Sequence, residues 1–246
     1  MAENINGAVV EYFDCVDSTN TVAARRIAEG CPEWHTVIAK SQTAGSGRLL
    51  RSFFSPDGTG LYMSCVLYPN AEDIGLITGM AAVAVSEAME ALGKTPRIKW
   101  VNDIFIDGRK VCGILAKGIC REKGMAVILG IGVNVFAPKG GFPEDIRETA
   151  GYLFDTYDSE KYKNLTSLIL SSLQKRYADI ANGDSPEQYR KRCITTGREV
   201  KVIPSGNEGG AYVARAVDVD DRFRLIIELP DGETRILDSG EVTARI

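Results

Sequence analysis

The run from residue 97 to residue 135 constrains this chain more than any other segment. Four apolar-rich pieces, 97–100, 104–106, 110–120 and 125–135, follow one another, with Asp107-Gly108 and Glu122-Lys123-Gly124 as turn signals. Asp-Gly tolerates the positive φ angles of a two-residue hairpin, and reversals this short set neighbouring strands side by side. The expectation is a mixed or antiparallel sheet.

The rest of the chain supplies partners for that sheet. Residues 9–13, 36–40 and 61–67 read as further strands, and Ser18-Thr19-Asn20 offers capping side chains ahead of a helix over 21–29. Residues 74–92, rich in Ala and Met and closed by Gly93, read as the best helix in the chain. Residues 165–180 and 186–193 read as two more. From Thr196 onward short strands alternate with turns such as Pro204-Ser205-Gly206-Asn207 and Pro230-Asp231-Gly232, a spacing that suits a small all-β barrel. The boundary falls near Thr195, giving a larger unit over 1–195 and a smaller one over 196–246.

Composition narrows the function classes. With 29 Lys and Arg against 33 Asp and Glu, the net charge of -4 gives no global attraction to nucleic acid. The six cysteines are scattered without a CxxC pair and there is one histidine, which argues against structural zinc. The start of the chain has no basic n-region followed by an apolar run, and 74–92 is interrupted by Glu87 and Glu90. A cytoplasmic protein with free thiols and no membrane association is the expectation.

Three stretches carry chemistry. In Gln42-Thr43-Ala44-Gly45-Ser46-Gly47-Arg48-Leu49-Leu50-Arg51, glycines allow close approach of backbone N–H groups to an anion, and Arg48 and Arg51 can pair with phosphate oxygens. The same pattern fits a solvated loop, and it lacks the Gly-Lys-Ser/Thr of a P-loop. In Lys99-Trp100-Val101-Asn102-Asp103 with Arg109-Lys110, a cation fixed at Lys110 would stabilise charge that builds on phosphoryl oxygens, although an isolated lysine is more often a solvated turn residue. In Gly130-Ile131-Gly132-Val133-Asn134, the missing third glycine weakens a dinucleotide reading and leaves tight strand packing as the alternative.

Taken in order, Asp17-Ser18-Thr19-Asn20, Gln42 to Arg48, Lys99 to Asp103, Arg109-Lys110 with Gly113-Ile114-Leu115, and Gly132-Val133-Asn134 resemble the biotin protein ligases. The likeness is strong over 9–151, looser through the following helices, and returns at Ser239-Gly240-Glu241-Val242. It implies an α+β fold: a mixed or antiparallel sheet flanked by helices, like the catalytic domain of class II aminoacyl-tRNA synthetases and biotin ligases, with a small C-terminal SH3-like β-barrel. It implies ATP-dependent activation of biotin to biotinyl-5′-AMP and transfer to a lysine of a biotin carboxyl carrier protein.

The resemblance also implies roles. Ser18, Thr19, Asn20 and Gln42 would hydrogen-bond the biotin head, with Gly45, Ser46, Gly47 and Arg48 closing over it. Arg48, Arg51, Asn102 and Asn134 would serve the nucleotide, and Lys110 the carboxylate and α-phosphate. Asp103 would assist near the phosphates or Mg2+, so that Lys110, Arg48 and Asp103 form the catalytic set. Four residues depart from the usual pattern: Ser46 stands for arginine, Phe53 for tryptophan, Val101 for proline and Phe223 for a turn glycine. The chain begins at the catalytic domain, so the expectation is a monofunctional enzyme without DNA binding, with a homodimer as one option. The rivals are a lipoate or octanoate ligase of the same fold and a non-catalytic biotin-binding regulator.

Overall fold

The computed structural model describes residues 2–48, 51–203, 210–238 and 241–244. The turn at Pro204-Ser205-Gly206-Asn207, Leu49-Leu50 of the glycine-rich loop and Ser239-Gly240 of the familiar ending lie outside the described residues.

Among the described residues thirteen strands form two sheets. The larger is built from β1 (Ala2–Ile5), β2 (Ala8–Val16), β3 (Thr36–Gln42), β4 (Gly60–Leu67), β5 (Arg97–Lys99), β6 (Asp103–Ile106), β7 (Arg109–Arg121) and β8 (Gly124–Asn134). Its order is β1-β2-β3-β4-β8-β7-β6-β5. Among these described strands only β2 and β3 pair in parallel, joined by the crossover helix α1 (Thr19–Ala28), so the sheet is mixed. As expected, β6 and β7 meet through Asp107-Gly108, both at positive φ (50° and 73°), with Ile106 opposite Arg109. The edge strand β1 has no expected counterpart, because Ala2–Ile5 is too short and polar to stand out.

Alternation along the strands gives the sheet two different faces. On β8 the odd positions Val127, Leu129, Ile131 and Val133 join Leu61, Met63, Cys65 and Leu67 of β4 in the main core. This face is covered by α2 (Ile77–Glu90), which is buried almost all round and backed by α3 (Ser159–Ala178) through Leu165, Ile169, Leu170 and Leu173. The expected helix over 74–92 is in fact a 3-10 turn (Ala71–Leu76) leading into α2. Helix α3 starts earlier than expected because Asp158 caps it, accepting from the backbone of Glu160 at 2.9 Å and Lys161 at 3.2 Å. Arg176 of α3 pairs with Glu87 of α2 and with Asp184, which precedes α4 (Ser185–Arg192).

On the opposite face α1 covers only part of the sheet. Its Val22, Ala23 and Ile27 pack on Val37, Val66, Ala126 and Ile128. Beyond its N-terminal turn the same face continues through Ser64, Gly130 and Gly132, where there is no bulk to fill the space. The opening in the fold is therefore set by where α1 begins and by glycines on β8.

The smaller sheet contains β9 (Glu199–Ile203), β10 (Tyr212–Val219), β11 (Leu225–Glu228), β12 (Thr234–Leu237) and β13 (Glu241–Ala244), all antiparallel in the order β12-β11-β10-β9-β13. Return of β13 to β9 gives the SH3-like arrangement. Phe223 keeps a left-handed backbone (φ 60°) despite being the residue where a glycine was expected. Its ring offsets the strain by burial: it is 4% exposed and lies against Tyr189 with ring centroids 5.3 Å apart. A Cβ on Gly79 would come within 2.2 Å of that ring. Among the described residues no helix is long and apolar enough to cross a membrane.

Candidate functional site

The open half of the α1 face forms a cleft of about 760 Å³. Its floor is the cross-strand pair Gly113 and Gly132 with Gly130 beside them. A Cβ at Gly130 would lie 2.6 Å from Asn20 Oδ1, and one at Gly132 would lie 2.7 Å from the Phe53 ring. Side chains there would fill the cleft, so the glycines of the Gly130–Asn134 stretch serve close packing and cavity formation together.

At one end stand the first residues of α1. Ser18 is the N-cap, buried, and accepts from the Asn20 backbone at 3.3 Å. Thr19, Asn20 and Gln42 line the cleft. Gln42 Oε1 accepts from the Thr19 backbone at 2.9 Å and lies 3.2 Å from Thr19 Oγ1, while its Nε2 donates to Ser55 Oγ at 3.0 Å. The helix start and the end of β3 are thereby locked into one polar wall.

A second wall is the glycine-rich loop, whose two arms pair. Phe53 N donates to Gly45 O at 2.8 Å, Gly47 N donates to Arg51 O at 2.7 Å, and Ser46 bridges to Ser52. Ser46, Gly47, Arg48 and Arg51 line the cleft, whereas Gly45 packs outside it against Ser55, Phe53 and Gln42. Arg48 Nη1 donates to Asn102 Oδ1 at 3.1 Å, and Asn102 Nδ2 donates to the Ile114 carbonyl at 2.9 Å. That pair of bonds ties the loop to the sheet.

The charged centre lies opposite. Lys110 Nζ is 2.7 Å from Asp103 Oδ1, with side chains 35% and 24% exposed, so the ammonium is shielded yet reachable. It sits over Gly113, whose Cβ would be 3.4 Å from Lys110 Nζ. Its backbone is held on both sides: Lys110 N donates to Thr149 O at 2.7 Å and Gly151 N donates to Lys110 O at 2.8 Å. Asn134 does not line the cleft. Its Nδ2 donates to Gly151 O at 2.9 Å, which steadies the segment that grips Lys110. Beneath, Cys112 is fully buried and its thiol is pushed far up by desolvation, so it stays neutral beside the ion pair.

The structure thus gathers Thr19, Asn20, Gln42 and four loop residues with Asn102, Asp103 and Lys110 around one cavity, and leaves Ser18, Gly45 and Asn134 just behind its walls. It also adds residues for which the motifs implied no role, Lys99 among them although it opens the stretch from Lys99 to Asp103. Lys99 and Glu148 line the cleft, and Phe53, known in the sequence only as a replaced tryptophan, lies across its glycine floor. Ser64 sits underneath, fully buried. A serine in the middle of an otherwise largely apolar strand, Gly60–Leu67, was its one signal.

The sequence matches the biotin/lipoate A/B protein ligase family over residues 12–134 and the biotin protein ligase C terminal domain over residues 195–245. It is 32% identical over 241 residues to the bifunctional ligase/repressor BirA of Bacillus spizizenii, covering 94% of this chain and 73% of that one. This chain belongs to the biotin/lipoate A/B protein ligase family. Another relative, the biotin--[acetyl-CoA-carboxylase] ligase of Mycobacterium tuberculosis, is 30% identical over 236 residues, covering 92% of this chain and 85% of that one. Among solved structures, the biotin protein ligase from Aquifex aeolicus in complex with biotin and ATP superposes with a TM-score of 0.74 at 26% identity, over 96% of this chain and 98% of that one. Family membership accounts for the pairing of a cleft-bearing mixed sheet with an SH3-like sheet.

Proposed function

We propose that the cleft activates biotin with ATP and that the activated acyl group passes to a lysine of a biotin carboxyl carrier protein. The observation that carries this reading is the convergence of Lys110, Asp103 and the Arg48–Asn102 bond on the cavity whose far wall is Thr19, Asn20 and Gln42. The polar wall suits a cyclic urea, which offers one carbonyl acceptor and two N–H donors. The cationic wall suits a carboxylate and a triphosphate.

In the reaction the biotin carboxylate attacks the α-phosphorus of ATP, the bond to the bridging oxygen breaks, and pyrophosphate leaves. Lys110 is placed to stabilise the charge that grows on the phosphoryl oxygens. Arg48, held by Asn102, keeps the loop over the mixed anhydride and excludes water that would hydrolyse it. Among the described residues no group of three or more His, Cys, Asp and Glu could hold a metal. Asp103 and Glu148 are the cleft carboxylates, which fits Mg2+ carried mainly by nucleotide phosphates with one or two protein oxygens.

Residues 1–195 carry the cleft chemistry and 196–246 form the small SH3-like unit, in a cytoplasmic enzyme. DNA binding is not part of this function, given the net charge of -4. Strand β1 is an edge of the large sheet and could pair with a second copy, whereas the β5 edge is taken by residues 193–195, and sedimentation velocity reads the oligomeric state directly. The deciding experiment mixes the protein with ATP, Mg2+, biotin and a carrier domain. Mass spectrometry is expected to show one biotin on one lysine. Adenylate formed with the carrier left unlabelled would favour a regulator.

A further inference from the structure

We infer that Ser64 is a specificity-determining positioning residue for the head of the substrate, acting through Asn20 and Thr19. This rests on the reading that the polar end of the cleft receives the cyclic urea.

Ser64 lies in the middle of β4 on the cleft side of the sheet, opposite Gly130 on β8, and is completely buried. It does not line the cleft. Its Oγ is 2.8 Å from Asn20 Oδ1 and 2.7 Å from Thr19 Oγ1. Gly130 leaves room for the Asn20 amide to lie down onto this spot. One polar side chain under two cleft residues is costly unless its bonds are satisfied, so its place in an apolar strand is explained by the two bonds it makes.

Proton counting gives those bonds a direction. A hydroxyl has one proton to donate. The Thr19 hydroxyl lies 2.7 Å from Ser64 Oγ and 3.2 Å from Gln42 Oε1, which already takes the Thr19 backbone N–H, so the Thr19 proton goes to Ser64 Oγ. The Ser64 proton is then free to hold Asn20 Oδ1. An amide fixed by its oxygen exposes its NH2, and among the described residues nothing accepts from Asn20 Nδ2. Ser64 therefore turns Asn20 into a donor facing the cleft. A donor there favours a head group that presents a carbonyl oxygen, as a cyclic urea does, over one that presents N–H at the same place, as a cyclic guanidine does. Without the hydroxyl the amide is free to flip, and the cleft loses its preference.

The test is biotin-dependent pyrophosphate exchange by Ser64→Ala and Ser64→Thr, with 2-iminobiotin, the guanidine analogue, as the competing substrate. For Ser64→Ala the KM for biotin is expected to rise about threefold to tenfold, the range for one neutral hydrogen bond. Expected alongside are a KM for ATP within twofold of the original, kcat largely retained, and a smaller preference for biotin over 2-iminobiotin. Ser64→Thr keeps the hydroxyl and is expected to restore the preference. An unchanged preference in Ser64→Ala, or equal losses for biotin and ATP, would overturn the inference. Absence of exchange by the unsubstituted protein would overturn the functional reading beneath it instead.

Discussion

The indole Nε1 of Trp100 donates a 2.8 Å hydrogen bond to the backbone carbonyl of Phe223, joining the segment after β5 to the SH3-like sheet. The Trp100 backbone also donates to Thr195 Oγ1 at 2.9 Å, and Tyr189 donates to the Val101 carbonyl at 3.1 Å. Asn102 and Asp103, which hold Arg48 and Lys110, follow directly in the chain. The C-terminal sheet thus buttresses the strand end that carries half of the charged centre.

Trp100→Phe leaves the buried Phe223 carbonyl without its donor and is expected to destabilise the protein by about 1–3 kcal/mol. Gly79→Ala drives a methyl into the Phe223 ring and is expected to cost about 1–3 kcal/mol through overpacking. Urea unfolding measures both. Wild-type stability in Gly79→Ala would mean that Phe223 is not seated there.

Removing the carboxamide at Asn102 removes the bond that joins Arg48 Nη1 to the sheet at this point. For Asn102→Ala the expected outcome is a loop that opens more often, so that AMP appears without carrier about threefold to tenfold faster as the anhydride meets water. Chromatographic AMP release over time is the measurement, and a rate equal to that of the unsubstituted protein would count against a latch at this bond.

Lys110→Ala removes the ammonium that lies 2.7 Å from Asp103. Loss of a single preorganised donor at a developing oxyanion costs about 100-fold to 1,000-fold in rate, and pyrophosphate exchange is expected to fall by that much. Near-normal exchange would take Lys110 out of the chemistry.

Burial raises the Cys65 thiol to about 11, above the roughly 8.5 of a thiol in the unfolded chain. A raised folded-state value means the fold favours the neutral thiol. That contribution is complete below about pH 8.5 and is lost as pH climbs toward about 11. The expected result is a steeper fall of Tm between those limits in the unsubstituted protein than in Cys65→Ala. Iodoacetamide is expected to label the exposed Cys15 and Cys120 well before Cys65 or Cys112.

The sheet was legible wherever alternation and turn chemistry spoke together. Asp107-Gly108 set the β6–β7 hairpin, and the apolar run of Gly60–Leu67 marked a strand buried on both faces. What alternation leaves out is the third dimension. Nothing local in the sequence says that Lys99, Asp103, Gly113 and Gly132 form one rung across four strands, because that follows from pairings between distant segments. Nor does the local sequence say that Ser18 caps α1, that Gly45 packs against Gln42 and Ser55, or that Asn134 braces the segment holding Lys110. Ser64 escaped because its partners are 44 and 45 residues away.

The most direct measurement of the whole account is ATP–pyrophosphate exchange by the intact protein with biotin and, separately, with lipoate. Rapid exchange that depends on biotin is expected, with little supported by lipoate. Exchange supported by lipoate alone would contradict the proposed function.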